Sequence, residues 1–315
     1  MKYANVDLIV EALSSLRKKD ENKQISLHEP NFEKSNAINY VKECINSGWV
    51  SSAGEYVKKF EKKICEYTNA NFCIAVTNGT VGLRLGLHLL GVRQNDEVLV
   101  PCLSFVATAN AVSHLGAHPH FIDIDEKTLG MCPKALSQRL DEIGEFKKGI
   151  LHNKLTGNRI SAVLPVHIFG NPLDIKLFDS VSKKWKIPIL EDAAEALGSW
   201  FVNQKRKVHC GLMGDLGVIS FNGNKIITTG GGGVLITNNK NYADLARHIS
   251  TTAKIPHPWE FNHDMIGWND RMPNINAALG LSQLEKLDIF LEKKEKLFLK
   301  NIDLFKDINE VEIFK

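Results

Sequence analysis

The residues most able to do chemistry lie in four short clusters of the 315-residue chain. Asp192 sits in Glu191-Asp192-Ala193-Ala194-Glu195, Lys225 ends Ser220-Phe221-Asn222-Gly223-Asn224-Lys225, Gly79-Thr80 follows Asn78, and Gly230–Gly233 is an unbroken glycine run. A lysine on a polar, glycine-containing loop can condense with an aldehyde once burial or a neighbouring charge frees its amine. A buried carboxylate can keep a pyridine nitrogen protonated, which turns the ring into an electron sink. The first N–H groups of a helix offer a phosphate hydrogen bonds and a partial positive charge. Aldehyde, pyridine and phosphate together describe pyridoxal 5'-phosphate. Taken singly each cluster has a plainer meaning, because a strand-end Asp commonly caps a helix and a loop Lys is commonly a solvated charge. Their order along one chain favours the chemical reading. Other chemistries lack their residues. No G-x-G-x-x-G follows a strand-like run, and no G-x-x-x-x-G-K-[ST] occurs. The 11 histidines show neither HExxH nor metal-ligand spacing, so no metal site is expected.

These clusters need a scaffold, and the pattern between them predicts one. From Asn69 to about Thr237 short apolar runs alternate with helix-like segments, the pattern of a mainly parallel sheet covered by helices. Strands are expected at Phe72–Val76, Glu97–Pro101, His118–Ile124, Ala162–His167, Ile187–Glu191, Gly217–Phe221 and Gly233–Thr237. In open α/β sheets ligands bind beyond the carboxyl ends of strands, so the polar clusters there should converge on one crevice. Val81, Leu83, Leu85, Leu87 and Leu89 alternate with other residue types, and period alone makes this run a strand. Its length, its leucine content and the Asn78-Gly79-Thr80 start predict a helix instead, with Gly82 and Gly86 letting it pack close to the sheet. Glu145–Arg159 predicts a basic hairpin before the Ala162 strand. Pro273 suits a first helical turn, and Leu284, Leu287, Leu291, Phe298, Ile302 and Phe305 predict one long helix from about Asn274 to Phe305. The last five residues, Val311–Lys315, alternate like a strand.

Six motifs stand in collinear order: Asn78-Gly79-Thr80, Ser104-Phe105-Val106-Ala107-Thr108-Ala109-Asn110, Glu191–Glu195, Ser220–Lys225, Thr229–Gly233 and Gly267-Trp268-Asn269-Asp270-Arg271-Met272-Pro273. On these, from about Ile25 to Phe305, the chain resembles the nucleotide-sugar aminotransferases of the DegT/DnrJ/EryC1/StrS family, a branch of the fold-type I pyridoxal-phosphate enzymes. The resemblance implies an α/β fold like that of aspartate aminotransferase, with a mainly parallel central sheet and a smaller C-terminal α+β domain. It implies that Lys225 is the Schiff-base lysine and catalytic group, and that Asp192 partners the pyridine nitrogen. Glu195 would lie near the ring hydroxyl and Phe105 would stack on the pyridine face. Gly79, Thr80 and Ser220 would hold the phosphate, together with Asn269 of a second subunit, so a homodimer with shared active sites is implied. Asn222 is a further cofactor contact from the lysine loop.

The implied reaction moves an amino group from glutamate to C4 of a nucleotide-linked 4-keto-6-deoxy sugar, in the synthesis of surface polysaccharide or nonulosonic acids. The glycine run, Gly48-Trp49-Val50-Ser51-Ser52 and the hairpin resemble the bacillosamine and legionaminic subgroup, which points to a UDP-N-acetyl 4-keto sugar. A GDP-sugar 4-aminotransferase and a 3-keto-sugar aminotransferase are alternatives, and a non-catalytic pyridoxal-phosphate sensor is the alternative of another class. The family's dehydratase branch replaces the lysine by histidine, and Lys225 argues against it. Trp49, His167 and Arg271 are candidates for the sugar pocket. Two positions depart from many relatives: Gly231 stands where an acidic residue is common, and Asp270 where an aromatic is common.

Composition narrows the partners. With 43% hydrophobic and 24% charged residues the chain is an ordinary globular one. Lys+Arg of 39 against Asp+Glu of 36 leaves +3, too little for a nucleic-acid footprint. No apolar run approaches the ~18 residues of a membrane span, and Asp7 and Glu11 break any signal-peptide core. Six cysteines without a CxxC pair predict reduced core thiols and a cytoplasmic location. The expected division is an N-terminal segment over 1–36, a large cofactor domain over 37–252, and the start of a small C-terminal domain over 253–315. Relatives extend beyond the equivalent of Lys315, so the chain is expected to be truncated.

Overall fold

The computed structural model of the chain describes residues 6–15, 28–173, 175–203, 206–308 and 311–314. Residues 30–285 pack as one unit, and the described parts of 1–29 and 286–315 form another. The smaller unit contains α1 (Val6–Ser15) packed on α10 (Leu287–Phe305). The larger unit opens with α2 (Ala37–Ser47) and α3 (Glu55–Thr68). It continues through β1 (Phe72–Val76), α4 (Gly79–Leu89), β2 (Glu97–Pro101), α5 (Val106–Ser113), β3 (His118–Ile122) and α6 (Pro133–Ile143). A hairpin of β4 (Gly144–Lys147) and β5 (Ile150–Asn153) precedes β6 (Ile160–Val163), α7 (Ile175–Trp185) and β7 (Leu190–Asp192). A second hairpin, β8 (Trp200–Asn203) and β9 (Arg206–His209), leads to β10 (Leu216–Ser220), β11 (Gly233–Thr237), α8 (Lys240–Ile249) and α9 (Asn274–Leu284).

Seven strands form one twisted layer in the order β3-β2-β6-β7-β10-β11-β1. Parallel ladders join β3 to β2, β2 to β6 and β7 to β10. The halves meet where β6 continues past Val163, through the parallel bridges Val163–Ile189 and Val166–Asp192. Only β11 runs against the rest, pairing antiparallel with both β10 and β1. The sheet is therefore mainly parallel, and the carboxyl ends of β1, β6, β7 and β10 point the same way.

Helix α4 shows why its sequence alternates like a strand. It lies on β7, β10 and β11 and is covered in turn by α5 and α8, so leucines are buried on both of its sides. Its contact with the sheet depends on two missing side chains: a Cβ on Gly82 would stand 2.9 Å from Val218 Cγ1, and one on Gly86 2.9 Å from Leu190 Cδ1. One apolar cluster surrounds α4, α5 and α8; another, built on Leu136, Leu140, Phe178 and Trp185, sits under α6 and α7.

At the far end of β2 from these strand ends, Glu97 is buried and gathers its neighbours. Its carboxylate accepts bonds from Asn153 Nδ2 (2.9 Å) and Thr156 Oγ1 (2.5 Å) and pairs with His120 Nδ1 (2.9 Å), which ties the β4–β5 hairpin to the sheet. The expected single helix over 274–305 is two helices. Glu285 keeps helical angles and Lys286, at φ −113° and ψ 3°, separates the two, while Tyr40 Oη (2.6 Å) and Asn36 Nδ2 (2.9 Å) donate to the Glu285 carboxylate. Residues 270–283 pack with the larger unit, α9 lying on α2 and α3. Residues 311–314 form no strand. All six cysteines are free; Cys44, Cys73 and Cys210 are buried, whereas Cys102 is exposed and departs from the expected core thiol. Among the described residues no helix is long and apolar enough to cross a membrane, and no cluster of His, Cys, Asp or Glu could hold a metal ion.

Candidate active site

Each polar cluster is delivered by the end of a strand. β1 runs into Thr77-Asn78, and the Asn78 side chain accepts the Val81 N–H at 2.9 Å, capping α4. That leaves the N–H groups of Gly79 and Thr80, the first two of the helix, without an intrahelical acceptor. Gly79 must be glycine here: a Cβ would lie 2.9 Å from Ser220 Cβ and 3.2 Å from its Oγ at the end of β10. Gly233 completes the close approach, since it pairs with both Val76 and Ser220 and its Cβ would meet Gly79 N at 2.8 Å. Two free amides, a hydroxyl and a helix N-terminus thus share one small space, an arrangement suited to a phosphate.

Asp192 ends β7 and is 4% exposed. Its Oδ2 accepts the Thr108 hydroxyl at 2.7 Å and its Oδ1 the Ala194 N–H at 3.1 Å, while Ser104 Oγ lies 2.6 Å from Thr108 Oγ1. Burial pushes the carboxyl above its ordinary value, against the pull of the Thr108 and Ala194 bonds and of the Lys225 charge. A cation beside this carboxylate would relieve that cost. Behind it, His167 Nε2 bonds Glu191 Oε2 at 2.9 Å with both side chains fully buried. Glu191 also accepts the N–H groups of Gly211 (2.9 Å), Met213 (2.6 Å) and Gly214 (2.5 Å), so it braces the loop before β10.

Lys225 lies in the loop after β10, its side chain 13% exposed, and Nζ donates to Glu195 Oε1 at 2.9 Å. The other oxygen of Glu195 accepts the Phe169 N–H at 3.0 Å. Phe105, the residue before α5, is 73% exposed at the rim, with a ring face free to cover a flat ligand.

Gly79, Thr80, Phe105, Asp192, Glu195, Ser220, Asn222 and Lys225 all line one cleft of about 310 Å³, a size typical of small-ligand sites. Asn269 does not line it; it is exposed, on a stretch bridged to Thr251. Of the three sugar-pocket candidates His167 lines the cleft, Trp49 borders a separate cavity with Glu43, Tyr56 and Asn274, and Arg271 lines neither. Sequence reasoning passed over Thr108 as the residue that orients Asp192. The signal was present as Ser104 and Thr108, four residues apart where a strand-end loop enters a helix. The lining has what pyridoxal phosphate needs: an anion cradle, a buried carboxylate for the ring nitrogen, and an amine.

Residues 31–315 match the DegT/DnrJ/EryC1/StrS aminotransferase family. A GDP-perosamine synthase of Escherichia coli O157:H7 is 38% identical over 267 residues, which are 84% of this chain and 68% of that protein. The putative pyridoxal phosphate-dependent aminotransferase EpsN of Bacillus subtilis is 36% identical over 259 residues, 82% of this chain and 63% of that one. Among solved structures, the aminotransferase TlmJ of Streptoalloteichus hindustanus superposes with a TM-score of 0.79 at 27% identity, covering 91% of this chain and 73% of that one.

Proposed function

This chain belongs to the DegT/DnrJ/EryC1/StrS aminotransferase family, whose members are pyridoxal-phosphate-dependent transaminases, and from that we propose that it carries an amino group from glutamate to a nucleotide-linked keto sugar. The observation that carries the proposal is the meeting of Lys225 and buried Asp192 in one cleft with the Gly79–Thr80 helix start and Ser220. When bound, pyridoxal phosphate supplies a carbon to carry the amine and a ring that spreads the negative charge left by a broken C–H bond.

The remaining work falls to the chain. The amides of Gly79 and Thr80 and the Ser220 hydroxyl hold the phosphate. Asp192, aimed by Thr108, would hold a proton on the ring nitrogen. Phe105, which lines the cleft, would cover one ring face. Lys225 Nζ would move the proton of the glutamate Cα, and Glu195 orients it by accepting its hydrogen bond at 2.9 Å. The sugar ketone then enters the same site and leaves as an amine. Asn222, lining the cleft from the lysine loop, would add a cofactor contact, and Asn269, exposed and outside this cleft, would serve the site of a second copy, which makes the active unit a homodimer.

The subgroup resemblance leans to a UDP-N-acetyl sugar, whereas the E. coli relative is named for a GDP sugar. On that relative we propose a GDP-linked 4-keto-6-deoxy sugar as the substrate. Purified protein given pyridoxal phosphate should show a visible absorption band that glutamate bleaches. Mass spectrometry of products from a panel of GDP- and UDP-keto-sugars should then show an added amine on the GDP members. A band that glutamate leaves unchanged, with no aminated product from any sugar, overturns the assignment.

A further inference from the structure

The stretch Trp268-Asn269-Asp270 is not a strand, but an isolated bridge at Asn269 and four backbone hydrogen bonds hold it in place. Trp268 N–H donates to Ile249 O (2.7 Å), Thr252 N–H to Trp268 O (2.9 Å), Asp270 N–H to Ser250 O (3.1 Å), and Thr77 N–H to Asp270 O (2.9 Å). Alternation along extended backbone puts Trp268 and Asp270 on one face and Asn269 on the other. The shared face meets α4. There a single side chain takes both flanking residues: Arg84 Nη2 pairs with Asp270 Oδ2 at 2.5 Å, and its guanidinium lies 4.3 Å from the centre of the Trp268 ring. His88 closes on the same indole edge-on at 5.0 Å. The pair is well shielded, with 21% of the Arg84 and 11% of the Asp270 side chain exposed. Thr80, Arg84 and His88 are spaced four residues apart, so they form one stripe of α4 that begins at the phosphate cradle.

We propose that Arg84 is a positioning residue for the cofactor's phosphate in the neighbouring subunit: by gripping Trp268 and Asp270 it fixes the direction in which Asn269 is presented to a second copy of the chain. The inference rests on the reading above, in which Asn269 contacts that phosphate. Arg84 itself packs on the Trp268 and Asp270 face of the stretch and does not line the cleft. A planar guanidinium suits the task, because its face can stack on an indole while an edge N–H pairs with a carboxylate.

The test is a titration of cofactor-free protein with pyridoxal phosphate and, separately, with pyridoxal, which lacks the phosphate, each followed by the visible band. Arg84→Met, Asp270→Asn and Asn269→Ala should each weaken pyridoxal phosphate by about tenfold and leave pyridoxal unchanged. Arg84→Met combined with Asn269→Ala should be no weaker than Asn269→Ala alone. Equal losses for both ligands would show general loosening and overturn the role, as would additive losses in the double variant. Should Arg84→Met fail to fold, Asp270→Asn decides by the same two ligands. Wild-type protein without a visible band would sink the cofactor reading itself. An Asn269→Ala protein that binds like wild type would sink the role of Asn269, and this inference with it, while leaving the cofactor reading intact.

Discussion

Asp192 holds a negative charge where burial resists one, and stability and activity should pull apart there. Its folded carboxyl titrates above the unfolded value, so it favours the fold while protonated and disfavours it as pH rises through the folded value. Asp192→Asn removes that burden and keeps partners for Thr108 and Ala194. The cofactor-free variant should therefore melt a few degrees higher than wild type near pH 7, with the difference vanishing in acid. Its turnover should fall by about 10²-fold or more. Melting curves across pH, set beside single-turnover rates, check both halves; a variant that melts lower and turns over normally contradicts the assignment. Lys225, Asp192 and the Gly79-Thr80 start are each ambiguous from the sequence alone, and only their order along the chain picks them out as residues that the fold brings to one cleft. Thr108 is not picked out even so, because nothing local says that a threonine 84 residues earlier will meet Asp192.

At the scale of elements, the strands and helices that carry the cleft follow from apolar pattern and punctuation, and their ends were less legible. Strand β7 begins three residues later than expected, and β6 stops four residues earlier, because the two segments meet only through bridges at the seam of the sheet. The break between α9 and α10 falls at Lys286, whose backbone leaves the helical region inside a continuing apolar period, so period alone could not place it. The glycine run divides in the same way between what geometry demands and what it merely permits. A Cβ on Gly233 would meet backbone at Asn78 and Gly79, whereas one on Gly231 has only Thr77 O, at 3.9 Å. Gly233→Ala should cost about 1–3 kcal/mol, and Gly231→Ala should gain about 0.4–1 kcal/mol; chemical denaturation compares them directly. At the opposite end of β2, burial pushes the Glu97 carboxyl up, but hydrogen bonds from Asn153, Thr156 and His120 outweigh it and hold the group low. A depressed carboxyl stabilises the fold above its unfolded value and loses that effect as pH falls through the folded one. Glu97→Ala should cost about 2–3 kcal/mol at neutral pH, the penalty fading below about pH 4. A pH-independent loss would assign the effect to packing instead.

For the whole molecule, the arrangement of Lys225 inside the cleft and Asn269 outside it makes a statement about assembly. At limiting pyridoxal phosphate, Lys225→Ala should be nearly inactive and Asn269→Ala reduced by up to about tenfold. Unfolded together in equal amounts and refolded, they should recover about a quarter of wild-type activity, because half the dimers are mixed and each mixed dimer has one complete site. No recovery would place Asn269 in the service of its own subunit. The sheet order carries a different consequence, one of timing. β1 takes its ladder from β11, and Val76 must wait for Gly233, 157 positions later by subtraction. At synthesis rates of about 5–20 residues per second that wait is roughly 8–30 s. Throughout it Phe72-Cys73-Ile74-Ala75-Val76 is an apolar strand with no mate. A nascent chain must keep that strand sheltered, by α3 and α4 or by a chaperone, until the last strand of the sheet emerges.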